Sequence, residues 1–153
     1  LGGDLPIEIA TDEVIVRAIK TPYHYDEKKK RLKPAAFRPQ ATRDDVSVMR
    51  KRYLGNHGCK DKAVEVAGKV YIGLAALRTE EIAAATAATA RVVDSRDGFF
   101  LGHAHIEQGT PAPPSGKTAD PDLMERWKAL ADTARYYQDG EPQTPGWCGA
   151  DIV

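Results

Sequence analysis

The longest apolar run in the chain, Val70-Tyr71-Ile72-Gly73-Leu74-Ala75-Ala76-Leu77, spans eight residues. That is far short of the roughly 20 residues that cross a bilayer, and it shows no polar alternation. Such a run reads as a strand apolar on both faces, which other elements must cover from both sides. A lone hairpin cannot supply that cover, so the chain needs a sheet with helices packed on it. With 153 residues it can do so in one domain, burying about 68–70% of the surface that its unfolded form exposes.

The rest of the pattern supplies the other elements. Glu13-Val14-Ile15-Val16-Arg17-Ala18-Ile19 is β-branched and predicts a strand, with Val14, Val16 and Ala18 on one face and Ile15, Arg17 and Ile19 on the other. Asp45 to Arg50 alternates as a second strand, Val46 and Val48 opposing Ser47 and Met49. Gly55-Asn56-His57-Gly58 reads as a turn, followed by a short helix from Lys60 to Ala67 that Gly68 closes. Val70 to Leu77 is expected as the central strand. Thr79 is placed to cap a second short helix, whose Glu80 and Glu81 suit the positive end of its dipole. A strand at Arg91-Val92-Val93 and a hairpin turn at Asp97-Gly98 lead to a strand from Phe99 to Ile106.

Asp120 as N-cap and Pro121 at the first position open the strongest helix. Leu123, Trp127, Leu130, Ala131, Ala134 and Tyr137 form one apolar stripe on it. Residues 1–12 read as an extension, 109–120 as a Pro-rich surface linker, and 139–153 as a tail that is ordered if Trp147 docks. There is no βαβ rhythm. The expected fold is α+β, a single domain over 1–153. Its small, mostly antiparallel sheet is packed by two short helices and one long C-terminal helix.

The 22 basic and 22 acidic residues cancel, but they are segregated. Arg17 to Lys69 holds 15 Lys and Arg against 6 Asp and Glu, and the remainder is correspondingly acidic. The basic segment could meet an anionic partner. The zero net charge makes nucleic acid possible but not favoured. Leu1-Gly2-Gly3-Asp4 offers no basic and apolar leader, and Cys59 and Cys148 form no Cys-x-x-Cys pair. The expectation is a cytoplasmic chain with free thiols and no membrane contact.

No phosphate loop, dinucleotide fingerprint, nucleophile elbow or His-Glu-x-x-His occurs. His103 and His105, two apart on a strand, project from one face and could share a metal or a phosphate. A zinc ion would need His57, Cys59 or Cys148 as well, and the spacing matches no zinc module. Neither metal nor cofactor is expected. Arg17, Ser47 and Glu107 stand in the Arg–Ser–Glu order of one ADP-ribosyltransferase group, without that group's Ser-Thr-Ser and Glu-x-Glu refinements.

Arg17, His24, Ala36-Phe37, Ser47-Val48 and His103-Ala104-His105-Ile106 together resemble a pattern in a family of small bacterial proteins. Its members read Arg…His…Ala-Phe…Ser-Val…His-Ala-x-Ile, often followed by a helix. The resemblance implies a location, not a chemistry: Arg17, His24, Ser47 and His103 as one polar cluster, with His105 and Glu107 as further possible members. An arginine offers a planar fork for phosphate or carboxylate, and a neutral histidine or a hydroxyl can move a proton. The leading expectation is a bacterial domain whose Arg/His/Ser pocket binds or acts on a phosphate-bearing ligand such as a nucleotide. The alternative is a non-catalytic interaction module that docks an acidic partner protein through the basic 17–69 segment. Whether the pocket is catalytic stays open at this point.

Overall fold

The computed structural model of the protein describes residues 6–96 and 100–153, and the fold is α+β. Six strands form one antiparallel sheet: β1 (Val14–Lys20), β4 (Asp45–Arg50), β5 (Tyr71–Arg78), β6 (Arg91–Asp94), β7 (His103–Glu107) and β8 (Arg135–Gln138). Their spatial order is β6-β7-β4-β1-β5-β8. A small separate hairpin pairs β2 (Tyr25–Asp26) with β3 (Arg31–Leu32). Three helices pack on the sheet among the described residues: α1 (Lys51–Ala67), α2 (Thr79–Ala85) and α3 (Pro121–Thr133).

Alternation along β1 divides the core in two. Ile15 and Ile19 join Phe37, Val46, Val48, Leu77, Ile106 and Leu130 on the face covered by α2 and α3. Val16 and Ala18 join Met49, Leu74, Cys59 and Ala63 on the face covered by α1, where Trp147 and Ile152 of the tail also dock. No described helix is long and apolar enough to cross a membrane.

The apolar run forms β5, buried as expected, but it lies between β1 and the edge strand β8; the middle of the sheet is the β1–β4 pair. Gly73 within the run has a spatial reason. A Cβ there would come within 2.4 Å of the Tyr137 carbonyl oxygen on β8.

Several boundaries differ from the expectation. The expected turn is reduced to a kink at Gly55 (φ 69°, ψ 179°), which joins two helical segments of α1 between Lys51 and Ala67, and Asn56 to Gly58 belong to the second segment. The tail docks on the second segment, where Asn56 accepts from Ile152 N–H and His57 Nδ1 accepts from Trp147 N–H at 2.7 Å. Thr79 is the first residue of α2 rather than its cap; Arg78 holds the cap position and its N–H bonds to Glu81 at 2.6 Å. The long C-terminal helix stops at Thr133. Ala134 leaves helical geometry and Tyr137 belongs to β8, where two adjacent tyrosines suit a strand. The Asp97-Gly98 turn lies outside the described residues, and β7 begins at His103 rather than Phe99.

The stretch 109–120 is more than a linker. Its Ala112 and Ala119 are buried with Leu123 and Trp127 in a small cluster of their own, so Trp127 packs under this loop and Leu130 reaches the sheet. Trp127 Nε1 donates to Gln108 Oε1 at 2.7 Å, and Gln108 Nε2 donates to the Phe37 carbonyl at 2.8 Å.

The densest polar contact is at Arg50, which has no exposure. Its guanidinium donates to Glu13 at 2.5 and 2.8 Å and to Asp94 at 2.7 Å, and to the carbonyls of Pro6, Ile7 and Glu8. Burial alone would lower its pKa; the two carboxylates raise it instead. A second buried pair, Lys60 with Asp139 at 3.0 Å, anchors the tail, and Tyr71 donates to the same carboxylate at 2.7 Å.

Two destabilisations are expected in denaturant titrations. Trp127→Ala removes a buried indole and strands Gln108, costing about 3–5 kcal/mol. Arg50→Met strips Glu13 of its two close guanidinium bonds, leaving it only Arg52 at 3.8 Å, and leaves Asp94 with Arg96 alone, costing about 3–5 kcal/mol. A loss below about 1 kcal/mol in either case would contradict these packings.

Candidate functional site

The ladder between β1 and β4 is short. Ile15 pairs with Arg50 and Val16 with Met49, whereas β1 stays paired with β5 along its whole length. Beyond Val16 the guanidinium of Arg17 takes over the bridging: Nη1 donates to the Ser47 carbonyl at 2.9 Å and Nε to the Ala36 carbonyl at 2.9 Å. A charged side chain thus satisfies backbone acceptors on β4 and on the turn at Pro34–Phe37.

Arg17 makes no ion pair with a carboxylate among the described residues. Burial alone pulls its pKa down to about 10, so the group remains a cation at neutral pH.

Next to this bridge lies a cavity of about 160 Å³ between β1, β4, β7 and α1. Arg17, Ser47 and His103 line it, with Lys62 and the apolar side chains of Met49, Ala63, Val66 and Phe100. Among the described residues the lining contains two cations and no carboxylate. Lys62 sits 4.6 Å over the Phe100 ring and pairs outward with Glu65 at 3.2 Å, so Arg17 is the cation without an acid.

His103 is buried, and its Nδ1 lies 2.5 Å from Ser95 Oγ. Its ring meets His105 edge-on at 4.9 Å and Phe100 at 5.1 Å. Burial first, and His105 second, push the His103 pKa down to about 4, so it is neutral at pH 7. A neutral imidazole against a hydroxyl can accept or pass a proton.

The expected cluster is therefore partly assembled. Arg17, Ser47 and His103 surround one cavity. His24 does not reach its wall: the ring is buried at the end of β1, where Nδ1 accepts from Lys20 N–H at 3.2 Å. Burial, then the charges of Arg17 and Lys20, push its pKa down to about 4. His105 shares the His103 face, opposite Ser47, with Nδ1 3.7 Å from Asp45. Glu107 pairs with Arg91 at 3.1 Å and does not line the cavity, so Arg17, Ser47 and Glu107 do not form one site.

Among the described residues no three His, Cys, Asp or Glu side chains gather as metal ligands. Both cysteines are free, Cys59 buried with its thiol pushed up to about 12 and Cys148 exposed. Ser95, Lys62 and Phe100 were not legible as site residues. Only the pairing of β6 with β7, which brings Ser95 beside His103, could have pointed to the serine.

Two buried neutral histidines fix a pH dependence. Unfolded, each takes a proton near about pH 6.5; folded, near 4. Between these values the unfolded chain binds more protons, so stability falls as pH drops from about 6.5 towards 4. The lowered carboxylates Glu81, Asp94 and Asp139 titrate lower, below their ordinary values of 4.5 and 3.8. Urea midpoints measured from pH 7 to about 4.5 should decline for the wild type and flatten for His24→Gln with His103→Gln; an unchanged slope would refute the assignment.

The chain matches no protein-family model, no curated protein and no solved structure, so its chemistry is read from these residues alone.

Proposed function

We propose that the cavity between β1, β4 and α1 binds the anionic group of a small phosphate-bearing ligand. The observation that carries this reading is Arg17, a half-buried guanidinium held by two backbone carbonyls and, among the described residues, by no carboxylate. A cation in that position keeps its field for an incoming anion, and low surrounding polarity strengthens it. His103 and Ser47 add neutral hydrogen-bonding groups, and Met49 and Phe100 add an apolar wall.

The volume limits the ligand. About 160 Å³ suits a phosphate or a compact phosphate ester. A ligand the size of a nucleotide would leave its base and sugar outside, across Val66 and Phe100. The His103–Ser95 pair offers a route for a proton, so general acid–base work on such a ligand is within its chemistry. A bacterial, cytoplasmic setting is part of the proposal and rests on the residue pattern and the free thiols.

The test is thermal unfolding with inorganic phosphate, a compact phosphomonoester and a nucleoside monophosphate. The wild type should gain Tm with phosphate and the phosphomonoester. Arg17→Gln and His103→Ala should abolish the gain, each judged against its own ligand-free Tm, while Lys29→Ala should keep it. Equal gains in wild type and Arg17→Gln would end this reading.

A further inference from the structure

We infer that the β2–β3 hairpin is a docking site for an acidic polypeptide that inserts an apolar side chain between the hairpin and α3. The proposal is independent of the cavity at Arg17.

Lys28, Lys29, Lys30 and Arg31 are consecutive, all exposed, and none forms an ion pair among the described residues. Of the two acids beside them, Glu27 is exposed and Asp26 is engaged by the backbone of the turn. Asp26 accepts the backbone N–H of Lys28 and of Lys29, both at 3.0 Å, which orders the turn and leaves its cations facing solvent. Like charges held this closely repel one another, and an anionic partner removes that repulsion.

The backbone supplies a second observation. Lys30 has φ 54°, in the left-handed region that glycine adopts freely and a residue with a Cβ does not. A lysine stands where the turn favours glycine, so the conformation is met at the expense of some local strain while a charge is retained at the tip.

The third observation decides the class of partner. Beside Lys30 and Arg31 is a depression of about 370 Å³ whose floor is Leu32, Ala131, Ala134 and Tyr136. Lys30 and Arg31 on the hairpin side of a small apolar floor, with Asp132 on the α3 side, match acidic side chains that meet the hairpin beside one apolar anchor. A phosphate backbone fits worse, because its evenly spaced charges would also have to pass Asp132, whereas a peptide can place its acids against the hairpin and its apolar residue on the floor. Tyr136 is also already stacked on Tyr25 at 4.6 Å, so it is no open platform for a base.

The test uses fluorescence anisotropy with a short labelled peptide in which glutamates flank a central leucine. Glutamate-only peptide, single-stranded oligonucleotide and phosphatidylserine vesicles form the other arms. The leucine peptide should bind tightest, and its affinity should fall about tenfold between about 50 and about 300 mM NaCl. Lys28→Glu with Lys29→Glu and Arg31→Glu should weaken it at least about tenfold, while Arg17→Gln should not. Lys30→Gly should weaken binding several-fold with Tm within about 2–4 °C of wild type, which separates a lost contact from a lost fold. Wild-type affinity in the triple variant, or tighter binding of oligonucleotide or vesicles, would overturn the proposal. Equal binding of the glutamate-only peptide would overturn the apolar anchor.

Discussion

The buried guanidinium of Arg50 is the contact on which the arrangement of the sheet depends. Glu13 precedes β1, Arg50 ends β4 and Asp94 ends β6, so one cation joins three separate strands at one end of the sheet. Arg96 shares Asp94 at 3.0 Å, and three carbonyls from the segment at Pro6 to Glu8 complete the shell. Ion pairs of this kind are weak evidence for net stability, but removing one partner is severe. Their value here is register: β1 and β4 are held together where Arg50 meets Glu13, and they separate beyond Val16.

That separation is what the cavity is made from. Closing the β1–β4 ladder further would pair Ser47 with β1 as it is already paired with His105 on β7, and would leave no room for a guanidinium. Instead Arg17 bridges the gap, while α1 covers it from one side. The site is thus a by-product of an unfinished ladder, stiff at the Arg50 end and open at the Arg17 end. The neutral state of His103 follows from the same enclosure, since burial is the largest cause of its lowered pKa.

Much of this was legible in the residues, for definite reasons. Period-two alternation located β1 and β4 and placed Arg17 among apolar neighbours, and a cation so placed asks for a partner. Asp120-Pro121 marked the start of α3 because both residues act locally. What was not legible depends on contacts distant in sequence. The apolar spacing of α3 continues by coincidence through Ala134 and Tyr137, and only the free edge of β5 turns that segment into a strand. Gly55 to Gly58 reads as a turn, but only Gly55 breaks the helix, and the docking of Trp147 and Ile152 on His57 and Asn56 lies about 90 residues beyond any local pattern. The partners of Arg50 lie 37 and 44 residues away, beyond any local pattern. Ser95 reaches His103 only through the pairing of two strands.

The docked tail has a consequence for biosynthesis. Trp147 and Ile152 complete the core beneath α1, and Lys60 finds its only carboxylate within ion-pair distance, among the described residues, at Asp139. A nascent chain that has emerged through β8 but no further therefore exposes one wet face of its sheet and carries a lysine that must stay in water. That half of the domain cannot dry out until the residues after β8 have left the ribosome, so it consolidates later than the face that α2 and α3 cover.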